Sequence, residues 1–300
     1  MVQRTWLFTP GDDRRKLARA TGAAPDALIV DWEDGVDARR KPAARQATRA
    51  LLEAAASRRL PGASDQGHAG AGSDARRKPS RAKRIGVRVN PAGTSLHARD
   101  LEAVAAMRPD FVMLPKVETA VDLEQADALG IALVVLVESA RGLEAMPELA
   151  SASEHVERLA FGALDFCADV HVTWRSPSPV LDYARVRMVV VSRAAGLAAP
   201  IDSVFPDLSD LDGLRAEAER SRQAGFGGKM VLHPQQLAPV VAAFAPEPEA
   251  LERARRILAA YQAAEQRGSV VLEVDGSLVD APLVRWARQV VADAEALPDE

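Results

Sequence analysis

Leu133-Val134-Val135-Leu136-Val137-Glu138, read with Leu159-Ala160-Phe161-Gly162 and Asp165 downstream, decides how this chain folds. Each apolar run is short, rich in branched residues and free of polar interruptions. That is the pattern of a strand buried on both faces of a parallel sheet. A carboxylate follows each run, so each falls on the rim of the sheet. The separation of Glu138 and Asp165 is about one strand–helix unit. A right-handed crossover of that length sets them on neighbouring strand ends, facing one space. Paired oxygen donors there, with room for water and substrate, suit Mg²⁺. An ordinary solvated rim explains either carboxylate alone.

The same alternation runs through most of the chain. Strands are predicted at 5–8, 27–30, 85–89, 111–114, 133–137, about 158–161, 201–204 and 229–232, with helices between them. Eight such units make an α/β protein of the (β/α)₈ TIM-barrel class. An open doubly wound sheet would usually carry a glycine-rich phosphate turn after its first strand, and none is present. The barrel is expected over 1–245. Asp12 is expected to cap the first helix.

Between Leu60 and Arg84 the composition shifts to Gly, Ala, Ser, Asp and Pro, and then to crowded basic residues. Such a stretch buries too little apolar surface to offset its ordering entropy, so a disordered insertion is expected at about 60–84. Its basic tract lacks aromatic residues to stack on bases, which argues against nucleic acid. Residues 246–300 read as a C-terminal extension of helix, small hairpin and helix, with the hairpin turning at Asp275-Gly276. The extension has little core of its own and is expected to pack on the barrel or on a neighbouring subunit.

The 300 residues, 48% of them hydrophobic, suffice for a full core. A formal net charge of −4 gives no footing for nucleic acid or an anionic membrane surface. The single cysteine, Cys167, excludes an internal disulfide and fits a reducing compartment. No run approaches the roughly 20 apolar residues of a membrane span. The N-terminus shows no signal-peptide pattern. A cytoplasmic protein is the expectation.

The strand ends bring Asp31, Glu33, Asp34, Arg88, Asn90, Lys116, Glu118, Glu138, Asp165 and His233 to one rim. Arg88 lies within a strand, and charged residues are rarely buried unpaired, so an anion or carboxylate must meet it. There is no zinc signature and no nucleophile elbow.

With these residues in place, the chain resembles the citrate lyase beta-subunit-like branch of the HpcH/HpaI aldolase family. The likeness is carried by Leu7-Phe8-Thr9-Pro10-Gly11, Asp31-Trp32-Glu33-Asp34-Gly35, Val87-Arg88-Val89-Asn90 and Met113-Leu114-Pro115-Lys116-Val117-Glu118. It continues through Val137-Glu138-Ser139-Ala140-Arg141-Gly142, Phe161-Gly162-Ala163-Leu164-Asp165, His233-Pro234-Gln235-Gln236 and Asp275-Gly276-Ser277-Leu278-Val279-Asp280. Only about 60–84 lacks a counterpart.

The resemblance implies a Mg²⁺-dependent lyase acting on CoA thioesters, commonly a homotrimer or hexamer. By position, Glu138 and Asp165 match the metal-binding carboxylates. Arg88 matches the arginine that holds the carboxylate of a 2-oxo acid, and Asp280 an acid/base residue that can reach a neighbouring subunit's site. Glu33 and Asp34 are candidates for orienting Arg88 or a metal-bound water. Many relatives carry Arg-Pro-Glu-Arg after the first Pro-Gly, where this chain has Asp13-Arg14-Arg15-Lys16. Contacts to CoA phosphates are therefore expected from Arg14, Lys16 or Arg19. Thioester hydrolysis, a synthase reaction and an obligate subunit role in a larger complex are the alternatives.

Overall fold

Eight parallel strands close on themselves in chain order in the computed structural model, which describes residues 3–59, 84–266 and 272–295. They are β1 (Thr5–Pro10), β2 (Ala27–Asp31), β3 (Arg84–Arg88), β4 (Phe111–Leu114), β5 (Leu133–Val137), β6 (Val156–Phe161), β7 (Ile201–Asp202) and β8 (Gly228–Val231). Closure pairs β1 with β8, Trp6 opposite Met230. The architecture is a (β/α)₈ barrel, as the strand–helix alternation predicts. The segment expected to be disordered lies, up to residue 83, outside the described residues.

Helices follow the strands: α1 (Arg14–Gly22), α2 (Lys41–Arg59), α3 (Ser95–Met107), α4 (Glu124–Asp127), α5 (Ala140–Ser151), α6 (Ala163–Asp169), α7 (Pro179–Ala194), α8 (Leu211–Ala224) and α9 (Leu237–Ala243). The cap of α1 is Asp13 rather than Asp12, its Oδ1 accepting the N–H groups of Arg15 and Lys16 at 2.9 and 3.1 Å. Among the described residues no helix is long and apolar enough to cross a membrane.

Side chains alternate across each strand, so one set fills the barrel and the other faces the helices. Trp6, Ile29, Phe111, Met113, Val134, Leu136, Ala160, Ile201 and Met230 form the inner core. Outside it, in the helix layer, Lys229 Nζ lies 2.7 Å from both Asp202 Oδ2 and Glu217 Oε1, and Arg185 Nε donates to Asp202 Oδ1 at 2.8 Å. All four side chains are buried, and together they fasten β7, which has only two residues.

Residues from Val241 onward make a second compact unit. It holds α10 (Pro248–Glu265), a hairpin of β9 (Leu272–Val274) and β10 (Ser277–Val279), and α11 (Ala281–Glu295). Asp275 and Gly276 have φ of 53° and 72°, the left-handed pair that a two-residue type I′ turn requires. Ala254, Ile257, Val279, Val284 and Ala287 form its core.

Candidate active site at the C-terminal rim

Strand register places Asp31 directly opposite Arg88. Both side chains rise from the same end of the barrel, and Arg88 grips Asp31 through two parallel hydrogen bonds, Nε to Oδ1 and Nη2 to Oδ2, each 2.8 Å. This fork–fork geometry is the strong form of an arginine–carboxylate pair. Burial works to raise the Asp31 pKa, but the guanidinium outweighs it and holds the carboxyl below the usual range. Asp31 also accepts the backbone N–H groups of Glu33 and Gly35. The Arg88 guanidinium lies over the Phe8 ring, Cζ 4.8 Å from its centre. The pairing occupies the Nε/Nη2 edge of the guanidinium, and on the Nη1 side the carboxylate of Glu33 stands close by.

Glu33 Oε2 stands 2.8 Å from Arg88 Nη1 without an aligned hydrogen bond, while its Oε1 accepts one from Lys116 Nζ at 2.9 Å. Burial raises the Glu33 pKa despite these cations. The loop carrying Glu33 is held from behind by Lys41, whose Nζ donates to Trp32 O, Glu33 O and Asn90 Oδ1 at 2.7, 3.1 and 2.6 Å. Asp34 is exposed and comes within 3.7 Å of Lys116.

Glu138 follows β5 and is 4% exposed. Its Oε1 accepts the backbone N–H of Lys116 at 2.8 Å, which Lys116 presents from a left-handed φ of 53°. Asp165 sits in the first turn of α6, not at the bare end of β6, and its carboxyl comes within hydrogen-bonding reach of Glu138. Burial first, then the negative charges of Glu33 and Asp165, push the Glu138 pKa up to about 8. Two carboxyl groups so placed either share a proton or hold a cation between them. Among the described residues no cluster of three or more His, Cys, Asp or Glu is placed to hold a metal. The pair therefore supplies two oxygen-donor side chains and leaves other positions to water and ligand, as hard cations such as Mg²⁺ accept.

These groups line a cavity of about 660 Å³. Arg88, Asp31, Glu138 and Asp165 stand on its acidic side, and Lys16 and Arg19, exposed on α1, reach it too. Arg14 does not. It lines a separate groove between α1 and α2 with Leu17 and Ala47, because residue 14 projects from a different face of the helix than 16 and 19. Asp280 belongs to the C-terminal unit, where its Oδ1 accepts the N–H of Leu283 at the start of α11. Sequence reasoning put Asp31 on the rim without assigning it a task; the register of β2 on β3, seen only in the structure, sets it opposite Arg88. His233, likewise unassigned, lines the cavity with Nδ1 occupied by the N–H of Gln235.

A barrel that gathers an acidic pair and a clamped arginine at its C-terminal rim has the layout of a (β/α)₈ enzyme. The chain belongs to the HpcH/HpaI aldolase/citrate lyase family, whose profile matches residues 4–63 and 73–234. It is 35% identical to a (3S)-malyl-CoA thioesterase of Cereibacter sphaeroides, over 98% of this chain and 95% of that protein. It is 29% identical to the human mitochondrial citramalyl-CoA lyase, over 99% and 87%. Among solved structures, CitE of Mycobacterium tuberculosis in complex with magnesium, acetoacetate and coenzyme A matches with a TM-score of 0.77 and 31% identity, covering 98% of each chain.

Proposed function

We propose that this protein is a Mg²⁺-dependent carbon–carbon lyase. It splits a 3-hydroxyacyl-CoA thioester, such as malyl-, citramalyl- or citryl-CoA, into an acyl-CoA and a 2-oxo acid, or joins the two in reverse. The observation that carries this reading is the buried Glu138 beside Asp165, with Arg88 lining the same cavity. The relatives' names and the magnesium and coenzyme A in the CitE complex support it. Bound Mg²⁺, held by Glu138 and Asp165, would supply Lewis-acid polarisation of the ligand's oxygens.

The remaining work falls to the chain. Arg88, fixed by Asp31, offers its charge and the side of the guanidinium away from Asp31 to the carboxylate of the oxo-acid unit. Glu33 steadies Arg88 and Lys116, and Asp34 adds negative charge beside Lys116. Lys16 and Arg19 face the phosphates of CoA at the mouth. In cleavage a base takes the proton from the 3-hydroxyl. The electrons of the breaking carbon–carbon bond pass to the carbon next to the thioester, which is then protonated. Asp280 of a neighbouring copy is the proton carrier, in a homotrimer or hexamer.

A second reading is hydrolysis of the thioester, which the name of the Cereibacter relative favours. Incubating the purified chain with malyl-, citramalyl- and citryl-CoA and Mg²⁺ separates them. Lysis releases a 2-oxo acid and acyl-CoA, whereas hydrolysis releases free CoA and a hydroxy acid. Turnover of free CoA esters also excludes a subunit active only in a larger complex. No turnover of any ester, with Mg²⁺ binding absent by calorimetry, would overturn the proposal.

A further inference from the structure

The lining of the cavity groups by strand. Its acidic side comes from β2, β3, β5 and the start of α6. The other lining, from β1, β8 and the segment after β7, presents Phe8, Val204 and Met230, with the hydroxyl residues Thr9 and Ser203 beside them, and Leu136 also lines the cavity. Leu136 precedes Glu138 by two residues, so on a pleated strand it occupies the same face one step deeper. Phe8 already touches the Arg88 guanidinium and packs, like Val204, against the inner barrel core to which Leu136 and Met230 belong. Among the described lining residues Arg88 is the cation on the acidic side, with Lys116, outside the lining, engaged by Glu33. The other basic groups lining the cavity are Lys16 and Arg19, both exposed on α1, and His233, two residues beyond β8.

A ligand held by Arg88 and the Glu138–Asp165 pair therefore turns the rest of its small fragment toward carbon atoms. We infer that the 2-oxo acid handled here carries a small apolar substituent and not a second carboxylate. This rests on the lyase reading above and deepens it: the fragment's carboxylate lies against the Arg88 guanidinium on the side away from Asp31, its 2-oxygen faces the acidic pair, and its substituent lies among Phe8, Leu136, Val204 and Met230. A methyl or ethyl group gains about fourfold in affinity per added carbon from such burial. An ionised group among these four side chains loses its hydration and meets no cation in exchange, at a cost of about tenfold or more in binding.

The test is calorimetric titration of the full-length protein in Mg²⁺ with pyruvate, 2-oxobutyrate and oxaloacetate. Pyruvate and 2-oxobutyrate are expected to bind at least about tenfold more tightly than oxaloacetate. Oxaloacetate binding as tightly as pyruvate, or more so, overturns the inference while leaving the lyase reading intact. Failure of all three to bind, together with no cleavage of any ester, removes the lyase reading and this inference with it. In Val204→Lys the added ammonium should shift the oxaloacetate-to-pyruvate preference toward oxaloacetate by about tenfold. An unchanged preference in a folded variant overturns the assignment of the wall. Should the variant not fold, the comparison on the native protein decides.

Discussion

Gly162 lies directly under the side chain of Glu138: a Cβ placed on it would come within 2.5 Å of Glu138 Cβ and 2.6 Å of Oε2. The glycine gives Glu138 the room to lie across the start of α6 toward Asp165. Gly162→Ala should displace that carboxylate. Mg²⁺ affinity is expected to fall about tenfold or more, with a stability loss of about 1–3 kcal/mol from overpacking. Calorimetry with Mg²⁺ and thermal melts check both; unchanged metal affinity would show that Glu138 does not depend on this contact.

Arg88→Lys should be far from conservative. A lysine cannot form the two parallel bonds to Asp31 and still present an edge to a ligand. Oxo-acid binding is expected to be lost and kcat/KM to drop by about a hundredfold or more. Steady-state kinetics read the second effect and calorimetry the first. Asp31→Asn should lower kcat/KM as well, because it loosens the guanidinium without removing it.

Metal binding should depend on pH with a definite sign. In the metal-free protein Glu138 titrates near about 8, above its ordinary 4.5, so the folded state holds a proton that the unfolded chain has released. Stability of the metal-free protein should fall as pH rises from about 4.5 to about 8. Because Mg²⁺ needs the ionised carboxylate, its affinity should rise over the same window and level off above about 8. Titrations at several pH values check the slope, and Glu138→Gln should abolish both the slope and the binding.

The ion cluster behind β7 should matter to stability and not to the metal. Burial opposes ionisation of Asp202, but Lys229 and Arg185 outweigh it and hold its pKa far below 3.8. Its contribution is therefore present above 3.8 and is lost only as pH falls well beneath that value. Asp202→Asn leaves buried cations uncompensated and should cost roughly 3–5 kcal/mol. Denaturant unfolding at neutral pH measures it, and Mg²⁺ affinity of the folded fraction should be retained.

The two apolar runs around Glu138 and Asp165 made the barrel legible, and β5 falls where its run of five apolar residues predicts. What periodicity missed was set by contacts between distant residues. The seventh strand, predicted over 201–204, stops at Asp202, because Ser203 turns its hydroxyl to accept the N–H of Ala163. The helix expected between the fourth and fifth strands is reduced to a 3₁₀ turn, Ala120–Leu123, followed by the short α4. Asp122 Oδ2 gathers the N–H groups of Glu118 and Thr119 at its start, and Gly130 leaves it at a φ of 61°. The match of Asp31 to Arg88 needs the register between β2 and β3, which local pattern does not carry. Arg14 was grouped with Lys16 and Arg19 by charge, whereas helical phase separates it from them.

The flank-on grip of Asp31 has a geometric corollary. A guanidinium pinned along one side cannot swivel, so it admits a partner in a single plane. A trigonal carbon tethered there, drawn by the acidic pair and steered by the hydrocarbon wall, would expose one of its two faces to an incoming carbon. Handedness of the product would then be fixed by a hydrogen bond that never touches the reacting atoms.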